Sequence, residues 1–135
     1  MPEIHVKTNR RMELIDITDM INSIIAKSEV GDGIALIFTK HTTVALIVNE
    51  NEAGLISDIE ASLKRLIPKL DYKHDRIDNN ADSHLRSILL QSSIVLPIKS
   101  SHLDLGTWQR VILIELDGPR ERTVTIKLLS ENKGI

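Results

Sequence analysis

A chain of 135 residues has room for one domain, at roughly 100–200 residues per domain, and can bury about two-thirds of its unfolded surface. Its 41% hydrophobic content excludes a disordered chain, and the absence of cysteine excludes disulfides, thiolate metal sites and thiol nucleophiles. Seventeen basic against nineteen acidic residues, a net charge of -2, and only three aromatics, Phe38, Tyr72 and Trp108, argue against a nucleic-acid binder and for an aliphatic core.

Residues 3–9 and 12–17 read as strands, with Arg10-Arg11 at the bend. Thr18 is placed to N-cap a helix over 19–28, in which Met20, Ile21, Ile24 and Ile25 share one face. Gly31-Asp32-Gly33 ends that segment as a turn. Residues 34–38 and 43–49 read as strands, the second strongly β-branched. A helix follows over 52–66 with Asn51 as an allowed N-cap. Leu55, Ile59, Leu63 and Leu66 form its apolar stripe. Residues 69–80 are polar and aperiodic, and long loops of this kind often carry function. Helix returns over 82–91, with Leu85, Ile88 and Leu89 on one face. Residues 93–98 form a strand that Pro97 places at an edge or an end. Residues 107–116 and 121–129 flank Asp117-Gly118-Pro119 as an expected hairpin. A three- or a four-residue loop fits, and the four-residue register sets Glu115 opposite Arg122 as a cross-strand ion pair. Trp108, at the start of an apolar strand, is expected to pack, with Trp108→Ala costing on the order of 3–5 kcal/mol.

The element order, β-β-α-β-β-α-α-β-β-β, points to a single α+β domain over 1–135. Strands 44–48 and 111–114 are apolar on both faces, so each needs cover on both sides. Helices cover one. A second sheet layer or a partner subunit must cover the other, which is an argument for a homo-oligomer. No apolar stretch approaches the roughly 18 residues that cross a bilayer, and the N-terminus lacks an apolar signal core. A soluble cytoplasmic protein with no membrane partner is expected.

Five histidines are present. His5 and His102 lie in plain surroundings. His41 precedes Thr42-Thr43, His74 lies in the long loop beside Asp75, and His84 ends NADSH at the start of a helix. Asn80 or Asp82 can cap that helix, and its first-turn N–H groups suit a phosphate. A capped helix with a surface histidine is the plainer reading. His41, His74 and His84 with Asp82 or Asp75 have the chemistry of a zinc or other divalent site, but their spacing matches no compact ligand motif. HTT at 41–43 also reads as a strand entrance, and NEN at 49–51 as a helix cap. Arg120 and Arg122 flank the hairpin turn, where a phosphate would find bidentate donors. No P-loop, kinase glycine loop or GxSxG elbow appears.

Taken in order, HTTVALIVNEN, YKHD, NADSHLRSILLQSS, LPI and LGTWQRVILIELDGPRERTV resemble the YjbQ-like family, called secondary thiamine-phosphate synthases. The resemblance covers roughly residues 35–130. Where many members carry an acidic DDMP-type run, this chain has Asn79-Asn80-Ala81-Asp82. The resemblance implies an α+β fold of layered, mixed or antiparallel β-sheet with two to three helices packed on it, a homotrimer, and a histidine-rich site near a subunit boundary. Carried onto this chain, it makes His41, Asp82 and His84 the catalytic candidates. It makes Thr42, Glu50, Gln109, Glu115, Arg120 and Arg122 the substrate- or phosphate-binding ones, and His41, His74 and His84 the metal ligands. The implied cofactor is a divalent metal, zinc or magnesium, with no organic cofactor. The implied reaction joins a pyrimidinylmethyl diphosphate to a thiazole phosphate and releases diphosphate. Two other classes remain open: a metal-dependent hydrolase of a phosphorylated small molecule, marked by release of inorganic phosphate, and a non-enzymatic small-ligand-binding trimer, marked by histidines that point apart.

Overall fold

The structure, a computed structural model, describes residues 1–131. Its strands are β1 (Glu3–Lys7), β2 (Glu13–Asp16), β3 (Gly33–Phe38), β4 (Val44–Asn49), β5 (Ser93–Lys99), β6 (His102–Leu103), β7 (Arg110–Glu115) and β8 (Glu121–Ser130). Its helices are α1 (Thr18–Lys27), α2 (Ala53–Leu66) and α3 (Ala81–Leu89), with a 3-10 turn at Lys73–Arg76 inside the long loop. The fold is α+β, as expected.

Two antiparallel sheets form. One has the order β1-β8-β3-β5-β6 and the other β2-β7-β4. Alternation along each strand decides the layers. Val44 and Leu46 of β4 and Val111 and Leu113 of β7 point into a core shared with Ala35, Ile37, Val124 and Ile126 of the larger sheet. α1 closes one end of this core with Ile21 and Ile25. On the opposite face of the small sheet, Ala45, Ile112 and Ile114 meet Leu63, Ile56 and Ile59 of α2. The layers are therefore sheet, sheet, helix. The two-faced strands find both covers within one chain, so they no longer argue for a partner subunit.

The expected hairpin of 107–116 with 121–129 does not form. β7 pairs with β2 and β4, whereas β8 pairs with β1 and β3. A strand buried on both faces takes a central position, and β7 gains a neighbour on each side. The corner that follows it docks on the β1–β2 bend instead of closing on itself. Gly118 N–H donates to Arg11 O (3.0 Å) and Thr8 N–H to Arg120 O (2.9 Å). A Cβ at Gly118 would lie 2.3 Å from Arg10 O, so the close approach needs glycine there. Glu115 and Arg122 do pair, but across the two sheets rather than across a hairpin.

Other expectations shift at element ends. Ile17, not Thr18, stands at the N-cap of α1. The Thr18 hydroxyl instead accepts from Val111 N–H (2.8 Å), which ties the helix to β7. Glu52, not Asn51, caps α2: its carboxylate accepts from Gly54 N–H (2.6 Å) and Leu55 N–H (3.0 Å). Leu66 is exposed and lies outside the stripe that packs. In α3 the expected face is reversed. Ile88 and Leu89 are exposed, and Ala81, Asp82, Ser83 and Arg86 are buried. The cause is the end of α2: Arg86 donates to Ile67 O (3.0 and 2.7 Å) and Leu63 O (3.3 Å), while its Nη1 holds Asp82 (2.8 Å). Unpaired carbonyls at a helix C-terminus need donors, and satisfying them through a buried arginine turns the polar face of α3 inward.

Trp108 is 71% exposed, not packed. Residues 107–108 form a turn ahead of β7, whose first residue is Arg110. Gln109 Oε1 accepts from Gly106 N–H (2.8 Å), which sets that turn and leaves the indole outside.

Candidate functional site

Three of the connections that cross from one sheet to the other lie together: 8–12 between β1 and β2, 39–43 between β3 and β4, and 116–120 between β7 and β8. They are hydrogen-bonded to one another. Besides the bonds of the Gly118 corner, Leu116 N–H donates to Thr43 O (3.1 Å). The entry of α3 joins them, with Asn80 Nδ2 on Asp117 Oδ2 (2.8 Å). Between these segments lies a cleft of about 370 Å³ whose wall is almost wholly polar. His41, Thr42, His84, Arg120 and Arg122 line it together with Lys40.

Arg122 is held by Glu115, which is fully buried. Arg122 Nε donates to Glu115 Oε1 (2.8 Å) and Nη2 to Oε2 (2.5 Å), a side-on bidentate pair. Arg122 Nη2 also meets Thr43 Oγ1 (2.9 Å). Burial alone would raise the Glu115 carboxyl. The donors on it outweigh that and hold it below the usual carboxylate range: Arg122, the Thr8 hydroxyl and Asp117 N–H. Glu115 is thus a saturated acceptor with nothing left for a ligand. Arg122, whose side chain is 4% exposed, has its far nitrogen, Nη1, free of hydrogen bonds among the described residues.

His41 is fixed by its backbone neighbourhood. Thr123 N–H donates to its Nε2 (3.0 Å), so the neutral ring carries its proton on Nδ1. Burial, then the nearby charge of Arg122 and Arg120, lowers the imidazole below its ordinary value against the pull of Glu115. His41 is therefore a neutral donor in a cleft where the cations Lys40, Arg120 and Arg122 stand beside the carboxylates of Asp78 and Asp117. Arg120 lies at the mouth, its Nε on Asp117 O (2.9 Å) and its Nη2 on Asp117 Oδ2 (3.1 Å).

His74 sits behind His84, the two rings edge to face with centroids 4.8 Å apart. Its Nε2 is closed off from water and makes no hydrogen bond, 3.9 Å from Asp78 Oδ2. The three histidines do not fit a shared cation site within this chain. His41 Nε2 already accepts an N–H, and no three His, Asp or Glu side chains among the described residues are placed to hold a metal. Asp75 is used otherwise: its Oδ1 accepts from Ala81 N–H (2.9 Å), the contact that lowers its carboxyl most and that caps α3.

Other candidates lie elsewhere. Asp82 faces away from the cleft and pairs with Arg86 (2.8 Å) and Arg11 (3.0 Å). Glu50 lines a separate groove with Trp108 and Arg110, and Gln109 is spent on Gly106. Sequence reasoning missed Lys40, Asp78, Asn80 and Asp117 as cleft residues. Lys40 had one available signal, a cation beside His-Thr-Thr. Asn80 and Asp117 read as a cap and a turn, and only the docking of the corner brings them together.

A profile of the family described as "UPF0047 protein YjbQ-like" matches residues 2–131. A UPF0047 protein of Archaeoglobus fulgidus is 48% identical over 128 residues, covering 94% of this chain and 99% of its own length. One from Methanothermobacter thermautotrophicus is 46% identical over 127 residues, covering 93% and 89%. Among solved structures, a YbjQ-like protein of unknown function from Sulfolobus solfataricus superposes with a TM-score of 0.93 at 43% identity, covering 96% of each chain. A hypothetical protein from Aeropyrum pernix gives 0.92 at 37% identity, covering 96% and 98%.

Proposed function

The chain belongs to the YjbQ-like UPF0047 family, and we propose that its cleft binds the phosphate end of a small molecule and serves a transferase of the thiamine-phosphate synthase type. The observation that supports this reading most is Arg122. A guanidinium locked side-on against a buried carboxylate, with its far edge toward a polar cleft, is a preorganised oxyanion donor. Arg120 and Lys40 add charge at the mouth, and the His41 Nδ1–H and the Thr42 hydroxyl add neutral donors.

In the proposed reaction the bond between the pyrimidinylmethyl carbon and the diphosphate oxygen breaks, and its electron pair leaves with diphosphate. The thiazole nitrogen donates its lone pair to that carbon and becomes the thiazolium nitrogen. No covalent enzyme nucleophile is needed. The protein's part is to hold the departing diphosphate, whose charge grows as the bond lengthens, against Arg122, Arg120 and Lys40. His41 donates from Nδ1 without gaining or losing a proton. The same family reading has three copies of the chain assembling.

The test is direct. The protein is incubated with the pyrimidinylmethyl diphosphate and the thiazole phosphate, and the joined product and free diphosphate are measured. Equal release of both is expected, with Arg122→Lys lowering kcat more than it raises KM. Inorganic phosphate or diphosphate released without joined product would replace the transferase with a hydrolase. No turnover and no phosphate binding would remove the reading altogether.

A further inference from the structure

We propose that the polar cleft continues into an apolar subsite, and that the complete site takes a phosphorylated compound with a flat or short apolar body rather than a polyol phosphate. This rests on the anion-binding reading of the cleft and specifies its ligand. Beside the cleft lies a groove of about 640 Å³ with a largely apolar wall. Lys40, His41, Thr42 and His84 line both, so the two hollows adjoin. What the groove adds is Phe38, Ile88 and Leu90, with the hydroxyls of Thr39, Ser87 and Ser92.

Two of these side chains are not used by the fold. Phe38 belongs to neither core cluster. It lies on the face of β3 turned away from the inner sheet, since its neighbours Ala35 and Ile37 point inward. Ile88 is 75% exposed, on the helix face that the Arg86 contacts turn outward. Of the hydroxyls, Ser87 donates to Val44 O (2.9 Å) and Thr39 to Thr123 O (3.4 Å), so neither has a proton left to offer, while Ser92 is exposed at the edge. A polyol lying against Phe38, Ile88 and Leu90 would give up water for side chains that cannot hydrogen-bond to it, which is unfavourable. An aromatic or short aliphatic body would instead cover Phe38 and Ile88 while its phosphate reaches Arg122. Each hollow falls within the roughly 300–1,000 Å³ of small-molecule sites, and their opposite polarity orients such a ligand in one direction only.

Calorimetry on the intact protein with inorganic phosphate, glycerol phosphate and phenyl phosphate tests this. Phenyl phosphate is expected to bind about tenfold tighter than glycerol phosphate, the gain for burying part of a ring. Ile88→Ser should remove that preference. Leu89→Ser, an exposed neighbour outside the groove, should retain it. If inorganic phosphate binds the parent protein but the two esters bind equally, the apolar subsite is overturned while the anion reading stands. If none of the three binds, both fall. If Ile88→Ser lowers the mass seen by light scattering and leaves the ester preference intact, a second copy of the chain covers the groove and the subsite is overturned.

Discussion

His41 owes its protonation state to its surroundings. An unfolded histidine takes up a proton near the ordinary value of 6.5, whereas burial and the two arginines delay this in the folded chain. Between the folded value and 6.5 the unfolded state binds more protons, so stability rises with pH across that window and this contribution is constant above it. NMR titration should place the His41 midpoint below 6.5, and Arg120→Ala, which removes one lowering charge, should move it upward. A midpoint that stays put or falls would refute the electrostatic assignment. Glu115 works in the opposite range. Its lowered carboxyl contributes stability that is fully present above the ordinary 4.5 and is lost as pH falls through the folded value. Thr8→Val deletes one donor to Oε1 (2.7 Å) and should shift the acid-unfolding midpoint, followed by circular dichroism, to higher pH. Trp108, exposed, has no packing to lose in the single chain. Trp108→Ala should change urea unfolding by no more than about 0.5 kcal/mol, in place of the larger cost its apolar context implies.

At the scale of elements, α3 does two tasks with opposite faces. Its inward face carries Arg86, which supplies the missing donors at the end of α2 and neutralises buried Asp82. Arg86→Ala would strand the Ile67 carbonyl and leave Asp82 with only Arg11 and Lys69. A loss on the order of 3 kcal/mol is expected in denaturant titration. The outward face carries Ile88 beside the cleft. Its hydrophobic periodicity is genuine, but periodicity reports only that one face is apolar. It does not say whether that face meets the core or a hollow. The stripe of α2 was legible because Ile59 and Leu63 do meet the core, whereas α3 was misread because a buried ion pair took the inner side.

The whole molecule is a two-sheet sandwich with a helical layer on the small sheet, and three inter-sheet crossings assemble the cleft at one edge. No helix among the described residues is long and apolar enough to cross a membrane. Away from Phe38, the outer face of the large sheet carries Ile34 and Leu36, with Val95 and Leu129 exposed at 59% and 41%. Contiguous apolar surface of this kind marks interaction sites. Light scattering at micromolar concentration should give about three times the 15.2 kDa chain mass. A stable monomer at that concentration would sink the trimer.

The sequence by itself determined the three helices and seven of the strands, though not the two-residue β6 or the 3-10 turn, together with the α+β class and the family, because those depend on local periodicity, on turn residues and on strings such as HTT and DGPR that survive as contiguous text. It also brought His41, Thr42, His84, Arg120 and Arg122 forward as candidates, and these do line one cleft. Tertiary structure alone decided which strands pair, and therefore that Glu115 clamps Arg122 between sheets instead of facing a ligand. It decided that Asp82 serves Arg86 on the far side of α3, and that His41 spends its Nε2 on Thr123. The physical reason is the same in each case. A polar side chain has a fixed number of donors and acceptors, and its role is what remains after burial has claimed the rest. That remainder is set by neighbours distant in the chain.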